Sequence, residues 1–164
     1  MHLWYEEKLF FERGNTGLPT FNLPYGRVAM MVCYDMWFPE VPRIYTLAGV
    51  DFIAIPTNWP EDPINERVED ITDKIIATHS HTNKVTIAAC DRVGVERGVK
   101  FKGRSIITKI DGAILAGPAS SDKEEIIYAK CNLMESRNKT LNYLNNSIYD
   151  RRTDIYNLKE KKVS

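Results

Sequence analysis

The chain has 164 residues, 43% of them apolar and 27% charged, and its 22 basic side chains balance 22 acidic ones. That length suffices for one domain with a hydrophobic core, and the charge balance offers nothing to nucleic acid or to an anionic membrane surface. No apolar run approaches the ~20 residues of a membrane span, no basic-then-apolar leader opens the chain, and the cysteines Cys33, Cys90 and Cys131 are too widely spaced for a disulfide framework or a zinc motif.

In chain order, residues 1–26 read as aromatic-rich loop with a short strand at Thr20–Leu23, punctuated by Gly14, Gly17, Pro19, Pro24 and Gly26. A core-like aromatic segment begins at the first residue with no lead-in, the pattern expected of part of a longer chain. Residues 27–33 form an apolar run that predicts a strand buried on both faces. Pro39 and Glu40 suit the first turn of a helix that stops at Gly49. Asp51–Pro56 follows as a strand, then a loop over 58–65 holding Trp59, Pro60 and Pro63.

A helix is predicted over 66–83, because Val68, Ile71, Ile75, Ile76 and His79 recur at helical spacing. Val85–Cys90 reads as a strand and 91–103 as a loop. Asp111-Gly112 sets a hairpin between 104–110 and 113–115. A further strand over 125–133, a short helix over 134–144 and an extended tail close the chain. Alternating strands and helices predict an α/β layered fold, with no linker to divide residues 1–164.

Cys33 ends a predicted strand and precedes a helix by a few residues. Such a corner lifts a side chain out of the sheet and leaves backbone N–H groups free beside it. Those donors, beginning with Tyr34, can stabilise an oxyanion, and the helix start is expected to favour thiolate. The competing reading is a small core residue, which serves equally for Cys90 and Cys131. Asn58 and Trp59 follow a neighbouring strand end, where ligands gather, or serve as turn and packing residues. Trp37 lines a pocket or fills the core, and core is the expectation. His79, on an apolar helix face, reads as a core or interface histidine. Neither it nor His2 or His81 has spacing that suggests a Cys–His pair.

These residues also resemble a known family. Val32-Cys33-Tyr34-Asp35, then Trp37-Phe38-Pro39-Glu40 and Arg43, is similar to the nucleophile motif of the nitrilase superfamily of carbon–nitrogen hydrolases. His2-Leu3-Trp4, Glu7-Lys8-Leu9-Phe10-Phe11 and Gly14 resemble the segment after that family's catalytic lysine. Phe101-Lys102-Gly103-Arg104-Ser105 and 150–156 resemble its later landmarks. The resemblance implies a partial α-β-β-α sandwich, with residues 1–164 as the C-terminal portion of the domain. It makes Cys33 the nucleophile and Glu7 the second glutamate that helps position substrate. It implies that Glu40 and Arg43 are a supporting pair, which at i,i+3 can meet. Tyr34, Trp37, Asn58 and Trp59 become the expected substrate contacts.

By the same resemblance the lysine would fall just before Met1 and the base glutamate further upstream. Lys8 does not substitute for the lysine. The expected activity is hydrolysis of an amide, nitrile or N-carbamoyl bond through a cysteine thioester, with no metal or cofactor, and with this chain inactive by itself. A non-catalytic remnant or oligomerisation module of the same fold is the alternative. A small-molecule partner, no nucleic acid or membrane, a homo-oligomer formed through the 66–83 helix and a reducing cytoplasm complete the expectation.

Overall fold

The computed structural model describes residues 2–61 and 71–156. In chain order its elements are α1 (Glu7–Phe10), β1 (Thr20–Leu23), β2 (Gly26–Met30), a 3-10 turn (Cys33–Trp37), α2 (Glu40–Leu47), β3 (Phe52–Thr57) and α3 (Ile71–Asn83). Then come β4 (Thr86–Asp91), the two-residue strands β5 (Val95–Glu96) and β6 (Val99–Lys100), β7 (Ile106–Thr108), β8 (Ile114–Ala116) and a second 3-10 turn (Leu133–Arg137). The α/β expectation holds. Six strands form one mixed sheet in the order β1-β2-β3-β4-β7-β8. Strands β2, β3 and β4 run parallel, while β1, β7 and β8 extend the sheet antiparallel on both sides.

The pleat sorts the two faces of this sheet. Ala29, Ile53, Ile87 and Thr108 stand side by side across four strands, and all four are buried. Val41 and Tyr45 of α2 and Ile76 of α3 share their core. The next row, Met30, Ala54, Ala88 and Ile107, is half-buried, with Met30 56% exposed. The expectation that 27–33 is buried on both faces is therefore corrected: one face is core and the other is open.

Local chemistry explains the ends of the helices. Pro39 caps α2 with φ −61°, the value its ring imposes. Gly49, at φ +78°, turns the chain out of the helix. On α3, Thr72, Ile76, His79, Ser80 and Asn83 are buried, a stripe at helical spacing. His79 is a satisfied core histidine, its Nε2 2.8 Å from the Met36 carbonyl. Burial lowers its pKa and keeps it neutral. The first part of the predicted 66–83 helix lies outside the described residues.

Other sequence expectations are corrected. The loop over 91–103 contains the β5–β6 hairpin, because Arg97 and Gly98 both take positive φ, +50° and +80°, as a two-residue hairpin turn requires. The predicted strand over 125–133 pairs with nothing among the described residues, and Ile126 and Tyr128 are exposed. The predicted helix over 134–144 reduces to the Leu133–Arg137 turn. Beyond it Asn138 and Asn142 side chains accept from nearby backbone N–H groups, which competes with helical bonding.

Asp51 ties the second 3-10 turn to the sheet. It is 1% exposed. Its Oδ2 accepts from the Arg27 backbone N–H at 2.9 Å and from Arg137 Nη2 at 3.2 Å. Its Oδ1 accepts from Ser136 Oγ at 2.8 Å and Arg137 Nε at 3.3 Å. Four donors on one carboxylate offset the cost of burying its charge.

Candidate active site

Cys33 leaves the sheet and opens the 3-10 turn with φ +42°. A side chain with a Cβ in this left-handed region costs about 1–2 kcal/mol. The surroundings hold it there. Asp35, 2% exposed, accepts from the Val32 backbone N–H through Oδ2 at 2.9 Å. Its own N–H donates to the Val32 carbonyl at 2.8 Å. These bonds close a loop around Cys33 and leave its sulfur half-buried, packed against the edge of the core.

The N-terminal segment docks on this corner. Asp35 Oδ1 accepts from the His2 backbone N–H at 2.7 Å and lies 2.8 Å from the His2 ring Nδ1. The His2 ring stacks on Phe38 at 3.7 Å, and Trp4 meets Tyr34 at 4.8 Å. Glu7 then accepts from the Trp4 backbone N–H through Oε2 at 2.7 Å. Glu7 is exposed, yet its charge bears on the Cys33 thiol.

Burial pushes the Cys33 thiol above its ordinary pKa. The backbone N–H of Asn58 opposes this. The charges of Asp91 and Glu7 add to the rise, and the backbone N–H of Tyr34 again opposes it. The expectation that the helix start favours thiolate is thus corrected. The turn is short and the sulfur is half out of water, so desolvation wins. The raised pKa favours the thiol form.

The remaining expected site residues separate. The Tyr34 and Asn58 N–H groups both face the sulfur. The Asn58 side chain is exposed. Trp59 is 6% exposed and belongs to the core cluster, and its backbone N–H donates to Asp91 Oδ1 at 2.9 Å. Trp37 is 48% exposed, contrary to the expected core position. Arg43 donates to the Thr82 and Ser147 carbonyls, and forms no ion pair with Glu40 among the described residues. Cys90 and Cys131 are exposed, which corrects the expectation of buried structural thiols. The β5–β6 hairpin is exposed too.

One residue was missed. Asp91 ends β4, is 7% exposed, and its charge acts on the Cys33 sulfur. An acidic residue ending an apolar strand was the available signal, since ligands gather at the carboxyl ends of parallel strands. Two clefts lie elsewhere. One of about 700 Å³ is lined by Arg27, Asp51 and Lys139, and one of about 390 Å³ by Arg43, Asn146 and Arg151. Among the described residues no group of three or more His, Cys, Asp or Glu side chains is placed to hold a metal ion. No helix among them is long and apolar enough to cross a membrane.

Comparison with known proteins places the chain. The profile of the carbon-nitrogen hydrolase family matches residues 1–139. A nitrilase of Pyrococcus abyssi is 38% identical over 156 residues, covering 95% of this chain and 56% of the relative. An N-carbamoylputrescine amidase of Solanum tuberosum is 31% identical over 162 residues, covering 93% of this chain and 53% of the relative. The crystal structure of a carbon-nitrogen hydrolase from Helicobacter pylori G27 superposes with a TM-score of 0.78 at 29% identity, over 92% of this chain and 55% of that one. The chain therefore spans about half the length of the relatives it matches. It belongs to the carbon-nitrogen hydrolase family of the nitrilase superfamily.

Proposed function

We propose that the chain supplies the nucleophile of a hydrolase of small amides, nitriles or N-carbamoyl compounds, with Cys33 as the attacking group. One observation carries this reading: Cys33 is held in the left-handed region with its sulfur half-buried and two backbone N–H groups, of Tyr34 and Asn58, facing it. The strain places the thiol at a corner where a carbonyl carbon can approach. Donors beside the sulfur also lie close to the carbon it would attack, where they can turn to the oxygen that becomes negative.

In the proposed reaction, written for an amide or N-carbamoyl substrate, a base takes the thiol proton and the sulfur forms a bond to the carbonyl carbon; a nitrile first gives a thioimidate, which must add one water before ammonia leaves. The oxygen becomes negative and accepts from the two N–H groups. The C–N bond then breaks, the nitrogen leaves with the proton, and a thioester remains. Water adds to that carbon and the C–S bond breaks, releasing the acid. Glu7, tied to Trp4 beside the site, takes the positioning role that its match to the second glutamate suggests. The chain spans about half the length of its relatives, and by the resemblance the superfamily's lysine and base glutamate belong to the other half, so alone it is proposed to be inactive. The same reading takes it to act as a homo-oligomer in a reducing cytoplasm; its three free thiols support the compartment.

The test joins this chain to the N-terminal half of the Pyrococcus abyssi relative and follows ammonia release from small amides and nitriles. The hybrid is expected to turn over, its Cys33→Ala form to lose at least ~10³-fold, and the chain alone to release nothing. A Cys33→Ala hybrid as active as its parent overturns the reading. So does ammonia release by the chain alone, as far as its inactivity is concerned.

A further inference from the structure

Asp91 divides its work between its two carboxylate oxygens. It stands opposite Thr57 in the parallel register of β3 and β4, both at the carboxyl ends of their strands. Its Oδ1 accepts from Thr57 Oγ1 at 2.6 Å and from the Trp59 backbone N–H at 2.9 Å. These residues flank Asn58, whose N–H faces the Cys33 sulfur. The Trp59 side of the clamp is rigid, because its ring is core and its carbonyl accepts from the Lys102 N–H at 2.9 Å. The Asp91 side is fixed as well, since its own N–H donates to Ser105 Oγ at 3.0 Å.

Oδ2 of Asp91 is different: it is buried with no hydrogen-bond partner among the described residues, as is the indole Nε1 of Trp59. A buried acceptor left unpaired destabilises the fold. Burial pushes Asp91 above the usual carboxylate range, while the bonds from Thr57, Trp59 and Arg92 and the charge of Lys102 draw it back.

We propose that Asp91 is a positioning residue for the Cys33 site: by gripping Thr57 and Trp59 it holds the intervening Asn58 N–H against the sulfur. This rests on Cys33 being the reacting group, as proposed above. An acceptor anchoring both neighbours of a backbone donor removes that donor's freedom to rotate away, which is the condition for preorganised charge stabilisation. The charge of Asp91 acts alongside that of Glu7 on the thiol, so grip and charge must be separated experimentally.

Asparagine and alanine at position 91 separate them. Both remove the charge, but asparagine keeps an acceptor oxygen in the place of Oδ1. In the full chain carrying Cys90→Ser and Cys131→Ser, the rate of Cys33 alkylation by iodoacetamide is followed from neutral to alkaline pH. Asp91→Asn is expected to alkylate faster than the parent at neutral pH, with an unchanged plateau at alkaline pH. Asp91→Ala is expected to fall below Asp91→Asn by roughly threefold at neutral pH, about half a pKa unit, because the donor is released. Equal rates in the two variants, or a faster Asp91→Ala thiol, overturn the proposal. Where Asp91→Ala fails to fold, Asp91→Ser, too short to reach both donors, takes its place with the same expectation. Should Cys33 not be the reacting group, the hybrid would show no dependence on it while the asparagine–alanine difference persists. The two failures are thus distinguishable.

Discussion

Asp35 Oδ1 accepts from the backbone N–H of His2 at 2.7 Å, joining the start of the chain to the turn that presents Cys33. The carboxylate is 2% exposed and its other oxygen holds the Val32 N–H. One side chain therefore serves both the docked N-terminal segment and the corner beneath it.

Removing that carboxylate leaves two N–H groups without their acceptor. Asp35→Ala is expected to lose about 2–3 kcal/mol of stability, measured by urea unfolding. Asp35→Asn, which keeps one acceptor oxygen, is expected to lose less. A loss under about 0.5 kcal/mol for the alanine variant contradicts the linkage described.

The left-handed backbone of Cys33 can be weighed directly. Glycine takes φ +42° without a Cβ penalty, and alanine does not. Cys33→Gly is expected to be more stable than Cys33→Ala by about 1 kcal/mol, despite the greater freedom of its unfolded chain. Denaturant midpoints with equal slopes give the comparison. Alanine matching or exceeding glycine would mean the corner is not strained.

Acid sensitivity is expected from Asp51. Burial pushes its pKa up, but the bonds from Arg137, the Arg27 N–H and Ser136 more than reverse this, and the net pKa is lowered. A folded pKa below the unfolded value of about 3.9 means that the unfolded state binds the proton more readily. The stabilisation is complete above that unfolded value and is lost as pH falls through the lower folded one. Asp51→Asn is expected to cost about 1–3 kcal/mol at neutral pH and to flatten the loss of stability below about pH 4. Parallel acid titrations of the two proteins check this, and identical acid slopes would refute it.

The sequence reading and the structure agree where chemistry is local. The Cys33 corner, the start of α2 at Pro39, its stop at Gly49 and the Asp111-Gly112 turn all follow from the residues in place. So does the core histidine at position 79, because helical spacing assigns it to the apolar stripe. The segment over 125–133 shows the opposite case. The residues there predict a strand, but a strand also needs a partner edge, and that is a property of the whole sheet.

By itself the sequence determined the α/β class, the family motif around Cys33 and the place of that residue between strand and turn. Those are written in short-range periodicity and in residues only a few positions apart. Tertiary structure alone decided which partners meet at the sulfur. Asn58 and Asp91 lie 25 and 58 positions after Cys33, and reach it because β2, β3 and β4 run parallel and side by side, so that the chain leaves all three at the same edge. It also decided the state of the thiol. Whether desolvation or a neighbouring N–H prevails depends on how deeply the sulfur sits, and no pattern of neighbours along the chain records that depth.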